Sequence, residues 1–523
     1  MGCNTFRVAT SRRQMLFESA GGIGGLALAY LLGQEGLLAP ARAAAPMHMP
    51  KSDRKFDVRP RPPHHEPSAK TLISLFMHGG PSHMDLFDPK PELTKYDGKH
   101  YEDNVTFSFI NRATKKLMAS PYTFRKHGQC GTELSELLPH TAGIVDDIAV
   151  IRSMTTGFND HGASLRMMHT GQNRPGRPCY GSWLTYGLGS ENQSLPAYCV
   201  LTDPKGLPTL GVTNWSQGWL PTTYQGTPIR PKTPRILNLD VPPELAGPLQ
   251  GHSLALLERM NQRHLDAHPG EGELEARIAN YEMAARMQSE AKEALDLSRE
   301  SEATKRMYGL DNPVTRSYGE RCLIARRLVE RGVRFVQIFI SSQIWDHHDR
   351  IFMKLKDCCA QTDQPSAALV KDLKQRGLLD STLVTWGGEF GRLPVTENHG
   401  DPKTRGRDHN GQGFSTWIAG GGVKGGQAYG ETDEVGHRAA VNPVGPADFH
   451  ATLLHLLGVD HHALTYFQNG REERLTDTEG CRVVKELLAK PPADSISRAA
   501  NADAGVFTNP LACARGSEKM LSA

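Results

Sequence analysis

An α/β fold built on a mostly parallel sheet is predicted by three observations. Between residues 321 and 386, helical and strand-like segments alternate, the rhythm of βα units that leaves strands parallel. The strand-like segments are short and almost wholly apolar, as strands covered on both faces are. Chemistry-bearing residues also gather where apolar runs stop: M-H-G-G at 77–80, W-D-H-H-D at 345–349 and W-G-G-E-F-G-R at 386–392. A fourth group, G-R-D-H-N at 406–410, stands just ahead of another run. In an open α/β sheet the carboxyl ends of the strands border the ligand crevice, so segments distant in sequence meet there.

Taken in order, residues 1–45 read as an export signal. S-R-R-Q-M-L at 11–16 resembles the twin-arginine pattern, a Gly- and Ala-rich run follows at 20–32, and small-x-small sites lie at 41–45. That run is too short and too rich in glycine for a span, and no other stretch has the length and apolarity to cross a bilayer. Pro, His and charge dominate 46–70, which is expected to be a linker. T-L-I-S-L-F-M at 71–77, ended by G-G-P, predicts a buried strand and a sharp turn. A second strand is expected at 148–151. Asp160 or Asn159 would then cap a helix bearing Leu165, Met168 and His169, which Gly171 stops.

The charged stretch 253–308 predicts a helical insertion with a narrow apolar face of Leu274, Ile278, Tyr281 and Ala285. A helix around 321–331, a strand at 333–340, the Asp-His loop, a helix over 365–376 and a strand at 382–386 follow. Another strand is expected at 414–419. An amphipathic helix at 447–457 would bury Phe449, Leu453, Leu454 and Leu457. Residues 71–490 thus form the domain, and the tail at 491–523 lacks apolar periodicity.

Composition removes some functions. A net charge of +3 on 523 residues, with no basic stripe interleaved with aromatics, argues against nucleic-acid binding. The nine cysteines form no C-x-x-C pair, so neither a zinc ribbon nor a disulfide scaffold is indicated.

Longer motifs carry a resemblance. G-G-P-S-H-M-D-L-F-D-P-K-P at 79–91, G-R-P-x-x-G-S-W-L-T-Y-G-L-G at 176–189, W-G-G-E-F-G-R and G-R-D-H-N resemble a twin-arginine-exported domain-of-unknown-function family. That family is assigned to the alkaline phosphatase and sulfatase superfamily, and the similarity runs from about residue 71 to 490. The resemblance implies an alkaline-phosphatase-like three-layer sandwich with metal ligands on loops beyond the strand ends. Position by position, it implies His78 or Asp85 after the first strand, with His83 nearby, then Asp346 with His348 or His347 in the central loop. Glu389 follows the next strand, and His409 lies near the one after, with Asp408 beside it to orient it. The nucleophile's place, ahead of a helix after the second strand, falls on Thr155, Thr156 or His161.

There are departures from that pattern. His78 stands where the superfamily has an acid, and the central Asp and His are closer together than in the phosphatases. No Cys or Ser lies in the C-x-P-x-R or S-x-P-x-R setting that becomes formylglycine, which disfavours a conventional sulfatase.

Imidazoles and carboxylates so gathered would hold one or two divalent ions, and mixed N/O ligation suits Zn²⁺ or Mn²⁺ better than Ca²⁺. Arg392 and Arg407, flanking two ligand segments, are expected to grip a phosphate or sulfate. The expected function is metal-dependent hydrolysis of phosphate, sulfate or related esters, small or polysaccharide, in the periplasm or cell envelope. The twin-arginine export machinery would be a partner. The alternative is a non-catalytic envelope-binding protein that keeps the fold.

Overall fold

Apolar strand residues pointing alternately up and down fill both faces of one sheet. The structure, a computed structural model, describes residues 56–108, 114–340, 343–397 and 401–489. The expected signal at 1–45 and tail at 491–523 lie outside the described residues.

In chain order the principal strands are β1 (Thr71–Phe76), β2 (Ile148–Met154), β3 (Tyr198–Leu201), β4 (Thr227–Ile229), β5 (Phe335–Phe339), β6 (Thr382–Gly387), β7 (Gly391–Thr396), β8 (Arg407–Asn410), β9 (Phe414–Ala419) and β10 (Gln427–Tyr429). Eight of them form the main sheet in the order β10-β2-β9-β6-β1-β5-β3-β4, while β7 and β8 pair with Lys116–Leu117 in a small sheet. Every neighbour in the main sheet is parallel except β9, which runs antiparallel to β2 and β6.

The principal helices are α1 (His161–Thr170), α2 (Tyr180–Leu188), α3 (Pro248–Ala267), α4 (Gly272–Leu295), α5 (Arg316–Glu330), α6 (Ile351–Gln375) and α7 (Pro446–Leu456). Ile73 and Leu75 of β1 pack with α4, α5 and α6 on one face. Leu72 and Phe76 pack with α1, α2 and α7 on the other. The result is the expected three-layer α/β sandwich with a mixed, mostly parallel sheet.

Four expectations are adjusted. The helix expected at 365–376 begins at Ile351 and runs through Pro365. Buried Leu355, Cys359, Leu369 and Leu373 offset the one backbone bond that proline removes. Ile278 is buried as expected on the stripe of the insertion, but Tyr281 is 70% exposed, and Ala276, Met287 and Ala291 are buried as well. Described residues of the expected linker lie against the domain. Arg61 N–H donates to Leu188 O at 3.0 Å and Ser68 N–H to Leu456 O at 2.9 Å, bonds that side-chain composition does not reveal. The reversal of β9 also has no signature, because a doubly covered strand reads the same in either direction.

Candidate metal centre

Phe76 of β1 pairs with Phe339 of β5 and with Gly387 of β6, so these parallel strands end level at one edge. Residues just beyond them therefore share that edge. His78 follows β1, Asp346 and His348 lie in the loop from β5 to α6, and Glu389 follows β6. His161 opens α1 after β2, where the Asp160 carboxylate caps the helix by accepting from Ala163 N–H at 2.8 Å. His409 lies on β8, just before the reversed strand β9 starts from the same edge.

The side chains converge on Asp346. His348 Nε2 and His409 Nε2 each stand 3.0 Å from Asp346 Oδ1, and 3.0 Å from one another. His161 Nε2 lies 3.4 Å from Asp346 Oδ2, while its Nδ1 donates to Glu389 Oε1 at 2.7 Å. Behind them, Gly79 N–H lies 3.0 and 3.1 Å from the two Glu389 oxygens, and His78 Nε2 is 3.7 Å from Oε1. Within 4.8 Å of one another fall ligand atoms of His78, His161 and Glu389, of His161, Asp346 and His409, and of His348, Asp408 and His409.

Close approach of backbone builds this edge. Gly79 has φ +121°, and a Cβ there would lie 2.7 Å from Asp346 N, so only glycine lets the β1 turn close on the central loop. Exposure grades through the cluster: the Glu389 side chain is fully buried, while Asp346 and His348 are 19% and 20% exposed. Asp346 and His348 therefore form its mouth.

The charges are strongly coupled. Burial disfavours a charged His161, but hydrogen bonds to Asp346 and Glu389 outweigh it and hold the imidazole at about 9. Burial likewise opposes charge on His348, and bonds to Asp346 and Glu397 raise it to about 9. Burial alone would push the Glu389 carboxyl up, yet His78 and the hydrogen bond from His161 draw it down to about 2. Asp346 is held well below the usual carboxylate range: burial is overcome by Arg392 and by bonds from the three imidazoles.

Several expected site residues are engaged elsewhere. Both arginines are fully buried with their donors committed, so neither is placed to grip a substrate anion. Arg407 bonds Asp85 at 2.9 Å, Met118 O at 2.8 Å and Leu393 O at 3.2 Å. Arg392 bonds Gly80 O, Arg407 O, Trp345 O, Gly79 O and Asp346 Oδ1, the last at 2.6 Å. It holds the central loop in place.

Asp85 is the buried partner of Arg407 and Ser82, outside the cluster. Thr155 Oγ1 donates to Gly411 O at 2.9 Å, and Thr156 Oγ1 lies against Phe158 O and Ser164, so neither hydroxyl joins the cluster. His347 turns its Nε2 to Ile344 O at 2.8 Å, while His348 faces Asp346. His83 bonds Gly436 O.

Residues 69–488 match the family described as "Protein of unknown function (DUF1501)". The chain belongs to this family. No protein of curated function matches it by sequence. Similar solved structures include the lipoteichoic acid synthase LtaP from Listeria monocytogenes, 9% identical, covering 78% of this chain and 76% of that one at a TM-score of 0.32. The PsFucS1 sulfatase from Pseudoalteromonas sp. is 12% identical, with 75% and 68% covered and a TM-score of 0.31. A mutant alkaline phosphatase of the Antarctic bacterium TAB5 is 10% identical, with 71% and 96% covered and a TM-score of 0.30.

Three orienting groups escaped sequence reasoning. Glu397 Oε2 accepts from His348 Nδ1 at 2.5 Å, and Asn159 O accepts from His409 Nδ1 at 2.8 Å. Ser108 touches His409 Nδ1 at 2.9 Å and donates its N–H to Asp408. Asp408 in turn accepts the His409 backbone N–H and leaves the imidazole to Asn159. Glu397 follows β7 of the small sheet, where the strand-end rule gives no hint.

Proposed function

We propose that this chain is a metal-dependent hydrolase of phosphate, sulfate or related esters that acts after twin-arginine export, in the periplasm or cell envelope. One observation carries the reading. Asp346 Oδ1, His348 Nε2 and His409 Nε2 stand 3.0 Å apart, and the other nitrogen of each imidazole already donates to Glu397 or Asn159. Three such atoms facing one point must share protons or a cation, and once deprotonated this donor set fits zinc or manganese better than calcium.

A divalent ion there supplies Lewis acidity to a phosphoryl or sulfuryl oxygen. Arg392 fixes Asp346, Glu397 fixes His348, and buried Trp345 walls the loop. The partly exposed mouth at Asp346 and His348 would admit the ester. Metal-loaded protein should hydrolyse an activated phosphate or sulfate ester, and His409→Ala should abolish it. A loaded protein inert to a broad ester panel, yet binding envelope glycans, would favour the binding-protein alternative.

The pH dependence has a definite sign. His161 and His348 titrate at about 9, above the ordinary imidazole value of about 6.5. Their charge therefore stabilises the chelator-stripped fold fully below pH ~6.5, and that stabilisation is lost as pH rises towards about 9. Metal must displace the same protons, so ion affinity rises across this window. Unfolding midpoints in chelator and zinc titrations at stepped pH check both trends; flat profiles would contradict them.

Export has its own test. Arg12→Lys with Arg13→Lys should leave the precursor in the cytoplasm, and normal export of that variant would refute the signal.

A further inference from the structure

We infer that the centre takes one transition-metal ion of the zinc type, held by the Nε2 atoms of His161, His348 and His409 together with Asp346, while Glu389 and His78 stand behind as positioning residues. The inference rests on reading this edge as a metal centre and departs from a ligand role for Glu389 and His78.

Each of the three imidazoles commits its Nδ1 to a carboxylate or carbonyl oxygen, and the Ser108 hydroxyl, also 2.9 Å from His409 Nδ1, turns its own hydrogen to Asn159 O at 3.2 Å. His161 Nδ1 faces Glu389 Oε1 at 2.7 Å, His348 Nδ1 faces Glu397 Oε2 at 2.5 Å, and His409 Nδ1 faces Asn159 O at 2.8 Å. Carboxylates and carbonyls offer no hydrogen, so Nδ1 keeps its own in all three rings, and Nε2 is the atom that gives up its proton to take a cation. All three Nε2 atoms face Asp346, two at 3.0 Å from Oδ1 and the third at 3.4 Å from Oδ2. Histidine ligands oriented from behind by carboxylate or carbonyl show this arrangement. Three imidazoles and one carboxylate suit zinc or a similar ion rather than Mg²⁺ or Ca²⁺, which favour oxygen-rich shells.

The neighbouring trio of His78, His161 and Glu389 is equally close but chemically different. His78 Nδ1 accepts the Gln343 N–H at 3.1 Å, which places the hydrogen of the neutral ring on Nε2. That fully buried Nε2 has no hydrogen-bond partner among the described residues and lies 3.7 Å from Glu389 Oε1. His161 presents Nδ1–H to the same oxygen, and Gly79 presents its backbone N–H to both oxygens. Glu389 is thus an anion facing three N–H groups. Two members of the trio show hydrogens, not lone pairs, to the space between them. Glu389 orients His161, and His78 orients Glu389.

The test is a Zn²⁺ titration of the chelator-stripped mature protein by calorimetry, paired with the visible absorption of the Co²⁺ form. One ion per chain is expected. His78→Phe and Glu389→Gln should still bind one ion, about 10–100-fold more weakly, with the Co²⁺ band retained. His161→Ala should weaken binding beyond that range and change the band. Two ions in the wild type, or a His78→Phe protein that keeps one of two, would overturn the inference yet leave the metal-centre reading standing. No ion bound by wild type would sink both. The wild-type stoichiometry needs no variant to fold.

Discussion

Asp346→Ala is expected to abolish ester hydrolysis and to weaken divalent-ion binding by more than the roughly 10–100-fold typical of losing an orienting partner. Asp346 is faced by the Nε2 atoms of His161, His348 and His409 and is bonded by Arg392. Its removal also leaves the fully buried Arg392 without the one carboxylate that pairs with it among the described residues, so the fold should lose stability. Asp346→Asn keeps the shape and one accepting oxygen, and should recover stability more than ion affinity. Zinc titration beside denaturant unfolding separates the two losses. An alanine variant that binds zinc as tightly as wild type would remove Asp346 from the centre.

The second large effect concerns stability alone. Asp85→Ala should cost about 3–5 kcal/mol, because it strands Arg407 in a fully buried position with no countercharge. Ion affinity should change far less than with Asp346→Ala. Adding Arg407→Leu should restore most of the stability, since a buried pair replaced by apolar side chains is often neutral. Denaturant unfolding of the single and double variants checks this. An Asp85→Ala protein as stable as wild type that no longer binds zinc would return Asp85 to the ligand set.

Asp85 and Arg407 also show what was legible in the sequence and what was not. The apolar runs at 71–77 and 382–386 and the glycines that stop them located β1 and β6, and the strand-end rule brought His348, Glu389 and His409 to one edge. Asp346 followed from the same rule. Arginine beside a ligand segment suggests anion binding by residue type. Yet Arg407 finds its carboxylate 322 positions away, a pairing that no local pattern announces.

Thr155 and Thr156 misled for a related reason. A hydroxyl ahead of a helix looks like a nucleophile until the fold brings Gly411 O beside it. His161, the third candidate for that place, instead joins the cluster. The roles of His78 and Glu389 hinge on which ring nitrogen carries hydrogen. That depends on Gln343 N–H and Gly79 N–H, backbone groups with no signature in residue type.

The most direct test of the central claim is anomalous diffraction from crystals of the zinc-loaded mature protein, recorded on both sides of the zinc absorption edge. The account predicts one strong peak among Asp346, His348, His409 and His161, with Glu389 still accepting from His161 Nδ1. A zinc-soaked crystal with no anomalous peak at this edge, and the imidazoles still bonded directly to Asp346, would contradict it.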